Sequence, residues 1–268
     1  MIIASIVFKL KAVNSARLPV SHGRLLHAAV LDLVRSRSNE ASTFMHDSAT
    51  KNFSVSLLKL SKEVFNNTYH LQEGDVAWLR VGVIGEEFVK ILMSMPVGLE
   101  LRVGSAEFSI EGIIADQSKH RDAGVTTMEA LEAGCKEMPI MNSLSFDFLT
   151  PTTFKFYDAE YPFPRTELIF GSLAKRWNSF SEGATFDVEK VKEIALYLIP
   201  ENWVGTSKRV NVTPQRGMTG FTGKFTYSLK LLPPEYRYIF ILLAEFAVFL
   251  GVGRLTGQGW GRVKIWYK

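Results

Sequence analysis

Apolar and polar residues alternate over residues 2–12, with Ile2, Ala4, Ile6, Phe8 and Leu10 set against Ile3, Ser5, Val7 and Lys9. That period of two predicts a strand. From about Gly23 to Arg37 the period lengthens, and Leu26, Val30, Leu33 and Val34 form one helical stripe. A short strand over 53–60, a strong strand over 76–84 and a helix over 86–94, stopped by Pro96, follow. Two further alternating runs lie at 99–103 and 106–110. The order is strand, helix, strand, strand, helix, strand. Residues 116–138 are charged and irregular and read as a connector with a short helix at 127–133.

The same order then returns. Leu144, Phe146 and Phe148 alternate, as do Phe154 and Phe156. Thr166 reads as an N-cap, and Ile169, Leu173 and Trp177 share one helix face. Residues 210–213 and 224–232 read as a hairpin, with Gly217, Gly220 and Gly223 in its loop. Pro233 and Pro234 open a buried helix to Leu250, and 263–267 is the last strand. Two βαββαβ units in one chain are most economically an α+β protein of tandem ferredoxin-like domains. The expected division is 1–138 and 139–268.

Composition narrows the class. Of 268 residues, 47% are hydrophobic and 22% charged, the balance of a folded protein. A single cysteine, Cys135, excludes an internal disulfide framework and a Cys-rich zinc site. The longest apolar run, 238–250, is interrupted by Glu245 and falls well short of the roughly 20 residues of a membrane span. The first residues lack the pattern of a signal peptide. The expectation is a soluble, cytoplasmic chain with no membrane partner. Charge is uneven: residues 201–268 hold ten Lys/Arg against three Glu, whereas 1–200 hold twenty-one against twenty-four Asp/Glu. A basic C-terminal quarter points to an anionic partner, nucleic acid first and a lipid surface second.

Residues 251–261, GVGRLTGQGWG, carry five glycines. Glycine permits positive φ and close backbone approach, and rows of amides can bind phosphate. The spacing and the helix-before, strand-after context do not fit a dinucleotide fold, and the G-K-[ST] ending of a P-loop is missing. Arg254 and Arg262 within and beside the loop suit phosphate. Gly251-Val-Gly253, five residues including Arg254, then Gly259-Trp-Gly261 resembles the C-terminal signature of the CRISPR repeat-processing endoribonucleases. These are the Cas-six type members of the repeat-associated RNA-binding superfamily. Residues 149–154, 162–164 and 168–178 resemble the opening of that family's second domain, and 18–54 is similar too.

The resemblance implies cleavage of precursor CRISPR RNA within each repeat, without metal or other cofactor. The 2′-hydroxyl would attack the adjacent phosphate, leaving a 2′,3′-cyclic phosphate and a 5′-hydroxyl. A base, a cation at the phosphorane and a proton donor are then required. His46, on a loop after the first helix, and Lys51 resemble the family's catalytic histidine and lysine. Some relatives carry tyrosine where this chain has Leu31; His27, one turn earlier, shares that face. His22, at the helix entry, is a candidate for RNA phosphate; His70 and His120 read as solvated. RNA contacts are expected from Lys208, Arg209, Arg216 and Lys224 of the hairpin, and from Lys175 and Arg176 of the second-domain helix. Gly251, Gly253, Arg254, Gly259, Gly261 and Arg262 of the loop complete the set. Trp260 is read as core. A homodimer or a CRISPR effector complex stays open as a further partner. The alternatives are a catalytically inactive repeat RNA-binding subunit and a small-molecule enzyme on the same scaffold.

Overall fold

The computed structural model describes residues 1–213 and 215–268. The chain divides into two compact units, one of residues 2–126 with 257–259, the other of Met1, 127–256 and 260–268. Among the described residues, no helix is long and apolar enough to cross a membrane.

The N-terminal unit runs β1 (Ile2–Ala12), α1 (Gly23–Arg35), α2 (Asn39–Asp47), β2 (Phe53–Val55), β3 (Val76–Ile84), α3 (Glu86–Met93), β4 (Glu100–Val103), β5 (Ala106–Ile114) and β6 (Gly124–Thr127). The strand order β2-β3-β1-β5-β4 contains the ferredoxin-like arrangement, with β1 in the middle. Pairing is antiparallel, and the register sets Phe8 opposite Leu79 and Phe53 opposite Val83 on one face. These side chains form one core with Leu26, Val30 and Leu33 of α1. Burying a phenylalanine such as Phe53 contributes about 2–3 kcal/mol.

Three local expectations change. Residues 39–47 form α2, whose start is capped by Ser38 Oγ accepting from the Ala41 amide at 3.0 Å. Only Ala41, Ser42 and Met45 of it are buried, so apolar periodicity gave no signal. His46 therefore stands in the last turn of a helix, not on a loop. The strand expected over 53–60 is two pieces, Phe53–Val55 and Lys59–Leu60, both on β3. In the connector, β6 pairs with β1, and Thr127 Oγ1 caps α4 (Met128–Glu137) from the Ala130 amide at 3.1 Å. Helix α4 packs on the long C-terminal helix, so the second compact unit starts at Thr127, ahead of the expected 139.

That unit continues with β7 (Ser143–Thr152), α5 (Thr166–Asn178), α6 (Val188–Ala195), β8 (Ile199–Thr213), β9 (Arg216–Ser228), α7 (Pro234–Leu250) and β10 (Val263–Tyr267). Its order, β8-β9-β7-β10, repeats that of the first unit. Phe148 of β7 meets Phe221 and Phe225 of β9, and Phe146 meets Phe170 of α5. The protein is thus a tandem of ferredoxin-like folds. Thr166 is the first helical residue; Arg165 precedes it and makes no capping bond. The hairpin is much longer than expected. Strand β8 is exposed along most of its length, which removes the alternation that marks a half-buried strand. Gly217, Gly220 and Gly223 lie within β9, not in a loop. Gly223, at φ 128°, faces Gly205 across the ladder, where a Cβ would stand 2.2 Å from the Val204 carbonyl oxygen.

Candidate functional site

His27 lies midway along α1, half-buried. Its Nδ1 is 3.0 Å from the carbonyl oxygen of Gly257. A carbonyl only accepts, so Nδ1 carries the hydrogen and Nε2 keeps its lone pair. The imidazole stacks on Phe53, with ring centres 5.3 Å apart and planes 23° from parallel. Gly257 packs closely against it: a Cβ there would sit 3.2 Å from Nδ1 and 3.4 Å from the Phe53 ring, tight enough to crowd both. Gly23, at the start of α1, is pressed by the Gln258 carbonyl oxygen, 1.8 Å from where its Cβ would be. Burial pushes the His27 pKa below its usual 6.5; the Gly257 bond opposes this, and the charges of Lys51, His46 and Arg24 add to it. The ring is neutral at pH 7.

His46 and Lys51 belong to the same group of residues. His46 is exposed, with Nδ1 2.8 Å from Asp47 Oδ1. Lys51 Nζ donates to the His46 carbonyl and, at 3.4 Å, to that of Met45. Burial lowers the Lys51 pKa, against the pull of Asp47. Thus the charges of Lys51 and His46, up to 24 positions away in sequence, act on His27. Arg24, one turn before His27, was missed in the sequence; the signal was its i,i+3 spacing.

His22 is not a phosphate ligand. It is 1% exposed, its Nδ1 donates to the Pro19 carbonyl at 2.8 Å, and Nε2 accepts from the Leu58 amide at 2.9 Å. Both ring nitrogens are used, and burial lowers its pKa. His70 is exposed, and His120 lies against Trp78.

The glycine-rich loop is tied to itself and to residues 150–153. Gly251, Gly253, Gly259 and Gly261 have φ between 69° and 84°. A Cβ at Gly261 would be 1.9 Å from the Val252 carbonyl oxygen. The amide of Gly251 donates to Ala247, Val252 to Gly261, Arg254 to Thr153 and Gly261 to Pro151, while that of Arg262 donates to Thr150 Oγ1. These five amides are spent within the fold and are not open donors for phosphate. Arg176 is half-buried and is likewise engaged in the fold: its Nη1 donates to the Leu250 carbonyl at 2.7 Å and lies 3.3 Å from Thr256 Oγ1. Burial brings its pKa down to about 10, so it stays charged. It ties α5 to the end of α7, whereas Lys175 beside it is exposed.

Lys208, Arg209 and Lys224 are exposed on the hairpin. Lys208 and Arg209 pair opposite Gly220 and Thr219, beyond the reach of β7, which leaves β9 at Phe221. Arg209 lies over Gly217, where a Cβ would be 2.8 Å from its Nε. Arg216 and Arg254 both donate to Glu160 Oε1. Glu160 carried no sequence signal, because its neighbours there come from residues 216 and 254.

Two family models match, described as CRISPR Cas6 N-terminal domain over residues 2–131 and CRISPR-associated endoribonuclease Cas6 over 146–263. The chain belongs to the Cas6 family. A curated Cas6 endoribonuclease of Mycobacterium tuberculosis is 30% identical over 128 residues, 47% of this chain. The matched stretch spans only 40% of that relative's own length. A solved Cas6 product complex superposes with a TM-score of 0.74 at 25% identity, covering 99% of this chain and 100% of that one. Cas6 of Thermus thermophilus gives 0.72 at 22% identity, covering 99% and 98%. The Cas6-type fold thus extends across both ferredoxin-like units.

Proposed function

We propose that the chain cuts precursor CRISPR RNA within its repeats, without metal, by attack of the RNA's own 2′-hydroxyl on the neighbouring phosphate. His27 takes the proton. Its Nε2 lone pair is available, and burial keeps the ring unprotonated at pH 7. Lys51 places positive charge at the phosphorane. His46, with Nδ1 held by Asp47, presents Nε2 to the leaving 5′-oxygen and protonates it. Lys175, Lys208, Arg209, Lys224 and Arg262 attract phosphates of the substrate. Solved relatives described as Cas6 product and substrate-mimic complexes support an RNA substrate. The observation that carries the reading is the fixed tautomer of His27 beside Lys51 and His46.

The test is incubation with repeat RNA from the CRISPR array next to its gene, in EDTA, with analysis of the new ends. The reading expects one cut per repeat, with a 2′,3′-cyclic phosphate and a 5′-hydroxyl. Tight binding with no cut would favour an RNA-binding subunit, and 3′-hydroxyl products would exclude the 2′-hydroxyl route.

A further inference from the structure

We propose that Arg216 and Arg254 form a phosphate clamp in which the Glu160 carboxylate holds the place of an RNA phosphate until substrate arrives. The proposal rests on the functional reading above and adds a residue that opposes binding.

Two guanidinium groups, one from the hairpin end and one from the glycine-rich loop, converge on a single oxygen. Arg216 Nη2 lies 3.4 Å from Glu160 Oε1, and Arg254 Nη1 makes the tighter contact. Glu160 sits on a short ribbon, Phe154–Phe156 with Ala159–Tyr161, where its cross-strand partner is Lys155. Two guanidinium groups therefore share one carboxylate, which carries one negative charge against their two positive ones. Moreover, Glu160 Oε2 is shielded from solvent yet accepts no hydrogen bond among the described residues. A carboxylate serving only as a brace for the ribbon would gain from using both oxygens. A shielded oxygen left unsatisfied weakens its hold.

The arginines remain reachable, with side chains 61% exposed for Arg216 and 35% for Arg254. Guanidinium forks bind phosphate through paired N–H donors, and a phosphodiester offers two non-bridging oxygens where Glu160 now offers one. On RNA binding the carboxylate gives up its place. Glu160 then acts as an electrostatic gate that discourages weakly held anions and yields to a chain of phosphates.

The experiment measures affinity for repeat RNA carrying a 2′-deoxy nucleotide at the cleavage site, from low to moderate salt. Wild type, Glu160→Gln and Arg216→Ala/Arg254→Ala are compared, with thermal melting of each. The clamp predicts about 3–10-fold tighter binding for Glu160→Gln, the scale of two released surface ion pairs. It also predicts weaker binding and a shallower salt dependence for the double arginine variant. Glu160→Gln that melts like wild type but binds no tighter overturns the proposal. So does a double arginine variant with wild-type affinity, whatever Glu160→Gln does. A wild-type chain that binds no repeat RNA overturns the functional reading and the clamp together, whereas a binder indifferent to these changes overturns the clamp alone.

Discussion

The histidine group of the N-terminal unit and the basic hairpin of the C-terminal unit are built on opposite principles. His27 is fixed on three sides, by the Gly257 carbonyl, the Phe53 ring and its own helix. Lys208 and Arg209 stand exposed on a ladder that, beyond Phe221 and among the described residues, pairs only with itself. Proton transfer depends on placement within hydrogen-bond reach and on a tuned pKa. Phosphate attraction acts over a Debye length and tolerates a mobile side chain. The first region is thus specified by packing, the second by charge.

The sharpest way to break this contrast is His27→Ala. It should lose about 10²–10⁴-fold in single-turnover cleavage at saturating protein, with repeat affinity nearly unchanged. His46→Ala should lose less, because water reaches an exposed proton donor's position. If His27→Ala cleaves at the wild-type rate and His46→Ala is dead, His27 takes no part in proton transfer and His46 is the essential group. Next comes Gly257→Ala, whose methyl group would push on Nδ1 and Phe53. It should slow cleavage about 10-fold through misplacement of the ring, with binding retained.

Acid should act on the first region and spare the second. Because burial lowers the His27 pKa, its base form persists below pH 6.5, and the acid limb of the rate should lie below that value. The sign for stability is the same. Unfolded His27 takes up a proton near pH 6.5 while the folded ring does not, so stability falls as pH drops from 6.5 through the lowered pKa. An acid limb above pH 6.5 in single-turnover cleavage would remove His27 as the base.

Two arginines test the other side of the contrast. Arg176→Ala leaves the Leu250 carbonyl without its donor and should cost about 1–3 kcal/mol in denaturant unfolding. Arg209→Ala should leave stability within about 0.5 kcal/mol of wild type. It should instead reduce the slope of log affinity against log salt by roughly 1. Equal effects on stability would erase the distinction between an arginine bonded within the fold and an exposed one.

Much of this architecture was legible because packing leaves periodic traces. The stripe of α1, the alternation of β1 and the proline-opened α7 are each dictated by a half-buried or buried element. Helix α2 and strand β8 escaped because both are largely exposed, so their conformation comes from a serine cap and a hydrogen-bonded ladder. His46 was consequently read as a loop residue. The resemblance to relatives singled out His46 and Lys51, but no pattern in the chain could announce that a carbonyl 230 positions away fixes the His27 tautomer. Arg176 and Arg254 look alike in sequence. One bonds a helix end and the other a carboxylate, a difference set by long-range neighbours.

The claim at the centre is that the RNA supplies its own nucleophile and the protein only moves protons and steadies charge. It is tested most directly by one comparison in EDTA: repeat RNA with a ribose at the cleavage site against the same RNA with a single 2′-deoxy nucleotide there. The account predicts that both bind with equal affinity, that the ribose substrate is cut to a 2′,3′-cyclic phosphate, and that the deoxy substrate stays intact. Cleavage of the deoxy substrate at a comparable rate would contradict it.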